Sequence, residues 1–208
     1  LVVRPGGIGD AVFLLPILRV IIKQNIRVDI LCERRNAEVF RSQKIFAHVY
    51  CYDRLGEFWH VLNNSYDAIV DTEQWHYLSA LTARMIKTSC RIGFATRPLR
   101  TKFFNIPVDY GINANELDSF SKLFVTLIPS GMKINTITDS FEIPVETQSW
   151  AQNKIFKDSV AVFIGASIPA KRLTYEQDLG IINNLIIKGY LPSSINGRQR
   201  CFTRCRVS

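Results

Sequence analysis

The chain has 208 residues, 47% hydrophobic and 21% charged, with a formal net charge of +8. This is enough apolar material for one large domain, or one domain plus a piece, and it excludes a disordered chain. It also excludes a membrane span, which needs ~18 apolar residues in a row, because the longest run, residues 11–22, is broken by Pro16 and Arg19.

Arg4 and the glycines after it interrupt any signal-peptide core, so a cytoplasmic chain is expected. Arg198, Arg200, Arg204 and Arg206 supply four of the eight net charges and crowd a tail without acids. The remaining body is only mildly basic. That suits anionic substrates or an anionic membrane surface, and no nucleic-acid partner is expected. Of five cysteines, Cys32, Cys51 and Cys90 sit in apolar runs and read as buried free thiols. Cys201 and Cys205 lack a second pair or a nearby histidine, so neither a metal site nor a disulfide is expected.

In chain order, residues 1–4 read as a buried strand already in progress, with a few residues expected upstream. Glycines 6, 7 and 9 form a turn, and a helix is predicted from Gly9 or Asp10, with Ala11, Leu14, Leu15, Leu18 and Ile22 at helical spacing. Pro16 is predicted to kink or shorten it. Residues 27–32, 47–52 and 66–71 read as strands, 75–86 as a helix, 91–94 as a short strand and 117–127 as a helix. Residues 139–143 look extended, and Pro144 ends them. This alternation predicts an α/β fold, a parallel sheet with helices on both faces. Ligands in such sheets bind outside the carboxyl ends of the strands. Asp10, Cys32-Glu33, residues 71–74 and Gly93 fall there.

After Pro144 the pattern restarts, with a helix at 146–156, a strand at 159–164 and a helix at 175–188. This reads as the first βα unit of a second Rossmann-like domain. From Leu191 the sequence LPSSINGRQRCFTRCRVS carries no further unit. The expected organisation is therefore residues 1–144, 145–190, and an atypical basic tail, 191–208, that is out of frame or disordered.

Three constellations carry chemistry. The opening turn is a partial dinucleotide fingerprint, Gly7-Ile8-Gly9, with Val12 where a small residue belongs and Glu33 as a candidate acid. A pyrophosphate at the helix N-terminus would be repelled by Asp10. A carboxylate there is instead favoured by the helix dipole and can accept a proton or hydrogen bond from a sugar hydroxyl. A role as helix cap alone fits the spacing equally well. The second is the loop at residues 165–172, GASIPAKR, with small residues, a hydroxyl and two cations suited to a diphosphate; an ordinary loop with solvated cations is the alternative. The third is residues 71–76, DTEQWH, where paired carboxylates beside a histidine suit acid/base work; the alternative, favoured for Thr72 and Trp75, is that Asp71 and Thr72 end a strand and cap the next helix, while Glu73, Gln74 and His76 are candidates to line a cleft. His48 and His60 are isolated and read as structural. Arg91, Arg97, Arg100 and Lys102 with interleaved phenylalanines read foremost as a solvated loop.

Taken in order, RPGGIGDAVFLLPILR, VDILCERRNAEVF, YDAIVDTEQWHYLSALTA, RIGFATRPLRTKFF, NELDSF and VFIGASIPAKRLTYEQ resemble the ADP-heptose:lipopolysaccharide heptosyltransferases of glycosyltransferase family 9, over residues 1–190. The resemblance implies a GT-B fold of two Rossmann-like domains. It implies an acceptor-binding N-terminal domain, a donor-binding C-terminal domain, ADP-heptose as donor substrate, a lipid A–sugar acceptor at the cytoplasmic face of the inner membrane, inversion at the anomeric centre and no metal or other cofactor. It implies Asp10 as general base and Lys171 as the cation that stabilises the departing diphosphate. Gly6, Gly7, Gly9, Glu73, Gln74, Ser167 and Arg172 are the expected substrate-binding residues. Leu173 departs from the family, whose members often carry tryptophan there, and the later nucleotide-binding loops have no counterpart. A frameshift or truncation of the donor domain is therefore expected, leaving the chain alone nearly inactive unless a separate chain supplies the rest. The alternatives are a non-catalytic remnant that binds acceptor only, and a dinucleotide-dependent oxidoreductase, against which Asp10 and Val12 argue.

Overall fold

The computed structural model describes residues 1–111, 113–128, 142–154, 159–162, 169–196 and 199–204. The chain divides into two units, Leu1–Ile143 and Pro144–Ser208.

In the first unit, strands β1 (Val2–Arg4), β2 (Asp29–Cys32), β3 (His48–Cys51), β4 (Ala68–Asp71), β5 (Cys90–Phe94) and β6 (Ile106–Val108) form one sheet in the order β3-β2-β1-β4-β5-β6. All pairings are parallel. The helices are α1 (Ile8–Ile22), α2 (Arg34–Arg41), α3 (Leu55–Asn63), α4 (Tyr77–Met85), the short α5 (Pro98–Thr101) and α6 (Glu116–Phe124). Strand residues alternate between two cores because successive side chains point to opposite faces. Val2, Ile30, Val70 and Ile92 pack with Leu14 and Leu18 of α1, Phe40 of α2 and Phe120 of α6. Val3, Leu31 and Ile69 pack on the other face with Val61 of α3 and Ala80 and Ala83 of α4. The strand order reverses between β1 and β4, so the crevice for a ligand opens beyond the carboxyl ends of these two strands.

Three expectations change in this unit. The helix α1 starts at Ile8 with Gly7 as its cap, so Asp10 lies in the first turn and is not the cap. The helix also runs through Pro16 to Ile22 unshortened. An interior proline costs ~3 kcal/mol, but Leu14, Leu15, Ile17, Leu18 and Ile21 are all buried, each worth about 1.5–3 kcal/mol. Finally, β6 was not foreseen: it is three residues long with Pro107 at its centre, which is tolerated because β6 is an edge strand.

The second unit contains α7 (Val145–Lys154), β7 (Ser159–Val162), α8 (Tyr175–Ile187), β8 (Tyr190–Asn196) and β9 (Gln199–Arg204). Thr174 and Gln177 form a capping box that starts α8. Residues 139–141, 155–156 and 163–164 of the expected elements lie outside the described residues. The tail, expected to be out of frame or disordered, carries paired strands: β8 and β9 run antiparallel with Asn196 opposite Gln199, and β9 inserts between β7 and β8.

Candidate active site

Arg4 ends β1 and is 2% exposed, at the point where the strand order reverses. Its Nη2 donates to Asp10 Oδ2 at 2.9 Å and lies 3.7 Å from Glu73 Oε2. Its Nη1 donates to the Thr72 carbonyl at 2.9 Å, and the guanidinium lies over the Phe120 ring. One buried cation thus ties the end of β1, the first turn of α1 and the loop after β4 together. Asp10 Oδ2 is held by this charge-assisted bond. Its Oδ1 accepts no hydrogen bond from the described residues, and the side chain is 35% exposed. The carboxylate is therefore fixed in place and still open to a ligand.

The glycines clear the way for this arrangement. Gly6 has φ +90°, a conformation that L residues rarely adopt, and a Cβ there would lie 3.4 Å from Arg4 Nη2. A Cβ on Gly7 would lie 3.2 Å from Asp10 Oδ2. At Gly9 a Cβ would meet nothing within 4 Å, so its lack of a side chain leaves the turn bare to solvent. No side chain caps α1. Buried Asn36 of α2 braces the turn, its Nδ2 donating to the Gly6 carbonyl at 3.1 Å and the Arg4 carbonyl at 3.4 Å.

Behind the site lies a second buried pair. Arg100 Nη2 donates to Asp71 Oδ2 at 2.7 Å, and both side chains are fully buried. Ser79 Oγ donates to the same carboxylate oxygen, and the Glu73 N–H donates to the other. Burial pushes the Asp71 carboxyl up, and Arg100 with these two donors pulls it back. Arg100 also donates to the carbonyls of Glu73 and His76, which fixes the loop before α4. The sequence reading is corrected twice here. Asp71 anchors Arg100 and does not cap α4, whose cap residue is His76, and Thr72 donates to the Val3 carbonyl. Arg100, read as part of a solvated loop, is buried.

Glu73 is buried, and its Oε1 accepts the Trp75 N–H at 3.0 Å. A cavity of about 440 Å³ runs beside it, lined by Gly6, Glu33, Glu73, His76, Leu78 and Ser79 among others. Gln74 is buried but does not line it; it donates to Glu116 Oε2 at 3.4 Å. Glu116 also accepts the Tyr110 hydroxyl at 2.6 Å, and burial with this carboxylate pushes the Tyr110 hydroxyl up to about 12. Glu33 accepts from Tyr52 and pairs with Arg35, so both its oxygens are engaged. A larger cavity of about 690 Å³ opens at the opposite, amino ends of the strands, around Asp29, His48 and Tyr66. It lies across the sheet from Asp10.

Of the remaining expected residues, Lys171 lies in the short 3₁₀ turn Pro169–Lys171 of the second unit, and its side chain is outside the described residues, as is Ser167. Arg172 is exposed. Among the described residues no group of three or more His, Cys, Asp or Glu is placed to hold a metal, and no helix is long and apolar enough to cross a membrane. Arg4, Asn36 and Arg100 were missed as site residues. The available signal for Arg4 was a lone cation closing a strand that is otherwise buried.

No protein-family model and no curated protein matches the sequence. Among solved structures the chain is similar to the E. coli heptosyltransferase WaaC with ADP, at 18% identity and TM-score 0.64, over 90% of this chain and 63% of that one. It is similar to WaaC with ADP-2-deoxy-2-fluoro heptose at 18% identity and TM-score 0.63, over 90% of this chain and 65% of that one. It is also similar to a glycosyl transferase family 9 protein from Veillonella parvula at 12% identity and TM-score 0.66, over 90% of this chain and 60% of that one. The fold is therefore that of the GT-B glycosyltransferases. The chain spans less than two thirds of the length of these neighbours.

Proposed function

We propose that this chain is a glycosyltransferase of the heptosyltransferase type, which transfers heptose from ADP-heptose to the inner core of lipopolysaccharide with inversion. The observation that carries this reading is Asp10, held by Arg4 at the strand-order reversal with one oxygen open. In the transfer, Asp10 accepts the proton of the acceptor hydroxyl as its oxygen bonds the anomeric carbon from one face. The bond from that carbon to the diphosphate breaks on the other face, and its electron pair leaves with ADP. Stabilising charge that develops only in the transition state is what accelerates such a step. Lys171, with Ser167 and Arg172, is assigned to the departing diphosphate on the family resemblance. The acceptor sugar is assigned to the cavity beside Gly6, Glu73 and His76. The work is placed on the cytoplasmic side of the membrane that holds the lipid acceptor.

A second reading, a chain that binds acceptor without transferring, is favoured by one observation. An antiparallel hairpin stands where the βα pattern of a donor domain would continue. Calorimetric titration with ADP-heptose, with ADP as control, separates the two. Donor binding together with transfer to a lipid A–sugar acceptor supports the first. No donor binding, with transfer restored only by a separate chain carrying the rest of the donor domain, assigns this chain the acceptor role. In either active form, Asp10→Asn should lower transfer about 100- to 10,000-fold, the usual worth of a general base. Unchanged transfer in Asp10→Asn, or binding of a nicotinamide dinucleotide, would overturn the assignment.

A further inference from the structure

The exposed residues of α4 are Tyr77, Leu78, Leu81, Arg84 and Met85, which share one face of the helix. Leu78 is 69% and Met85 58% exposed, while Ser79, Ala80, Thr82 and Ala83 are buried on the opposite face. Trp75 and Leu99 extend the exposed apolar set on the flanking segments. Isolated exposed apolar residues need no explanation, but an apolar helix face with aromatic neighbours does.

The segment that carries this face has charge of one sign. Residues 74–108 contain no Asp or Glu, yet they contain Arg84, Lys87, Arg91, Arg97, Arg100 and Lys102. Arg100 is neutralised by Asp71. Arg84, Lys87, Arg97 and Lys102 are exposed, and none has a carboxylate partner among the described residues. Arg97 lies over the rings of Trp75 and Tyr77, 5.9 and 5.6 Å from their centroids. Aromatic side chains mixed with cations beside an apolar stripe suit the boundary between lipid headgroups and acyl chains. Each cation near an anionic leaflet adds attraction that salt screens. A second copy of the chain fits less well, because a two-fold interface would set the same unpaired cations against each other.

We infer that the α4 face docks on an anionic lipid surface. The helix also reaches the candidate site, since Leu78, Ser79 and Thr82 line the cavity beside Glu73 and His76. A docked α4 would present a lipid-linked sugar to that cavity, a consequence that rests on the glycosyltransferase reading.

The test is co-sedimentation of the 208-residue chain with phosphatidylglycerol–phosphatidylcholine vesicles, without donor or acceptor. Binding is expected, and it should fall at least about tenfold on pure phosphatidylcholine or at high salt. Leu81→Asp/Arg84→Glu should lose binding. Val125→Asp/Lys122→Glu, an equal charge change on the opposite face of the sheet, should keep it, with circular dichroism confirming that both variants fold. No binding to anionic vesicles, equal loss in both variants, or a dimer dissolved by Leu81→Asp would overturn the inference. Vesicle binding by a chain that neither binds donor nor supports transfer would leave this surface standing while the transferase reading falls.

Discussion

Arg4 carries a full charge into the centre of a parallel sheet, where an unpaired guanidinium would cost on the order of several kcal/mol. The cost is met by Asp10, Glu73 and the Thr72 carbonyl together. Removing different members of this group should therefore have unequal effects. Arg4→Met leaves Glu73 buried without its cation and should destabilise the fold by about 3–5 kcal/mol. Asp10→Asn leaves Arg4 with its other partners and should cost only about 1 kcal/mol. Urea unfolding of the two variants checks this. Equal losses would mean that Asp10 is mainly structural, the cap-like role that its spacing alone left open.

Among the elements, β5 shows how a strand makes room for a buried ion pair. A Cβ on Gly93 would fall 2.3 Å from the Phe104 ring, well inside contact distance. Phe104 in turn lies under the Arg100 guanidinium at 5.2 Å, and Arg100 holds Asp71 and the loop before α4. Gly93→Ala should displace Phe104 and lower stability by about 1–3 kcal/mol, as overpacking does. The larger change should be in the loop at 72–76. Faster amide exchange there than in α1 or β2 is the expected readout. Uniform exchange changes across the sheet would show that Gly93 matters only for packing.

On the scale of the whole chain, the hydrophobic clusters that the described residues form fall within residues 1–128. In the second unit α8 has no buried residue, although Leu179, Ile181, Ile186 and Ile187 are apolar. A fragment of residues 1–143 should therefore unfold cooperatively, with a Tm within about 4 °C of the full chain, the equivalent of about 1 kcal/mol at this size. Loss of the cooperative transition would show that the first unit draws stability from the second.

The sequence by itself determined the parallel α/β architecture, the position of the Gly6–Asp10 turn at a strand end, and the resemblance that the solved structures then matched in fold. These are local signals: apolar periodicity, and glycines at one turn. It also named Glu73, Gln74 and His76 as candidates to line a cleft, of which Glu73 and His76 line the 440 Å³ cavity and Gln74 does not. It did not reveal that Arg100 would leave a basic run to pair with Asp71, 29 residues earlier, nor that Arg4 would bridge Asp10 and Glu73. It did not show that the helix would run unshortened through Pro16, or that the tail would pair with β7. Those outcomes were decided by the tertiary structure. A buried charge takes whatever partner the sheet brings within reach, and burial of a whole helix face outweighs the propensity of one residue.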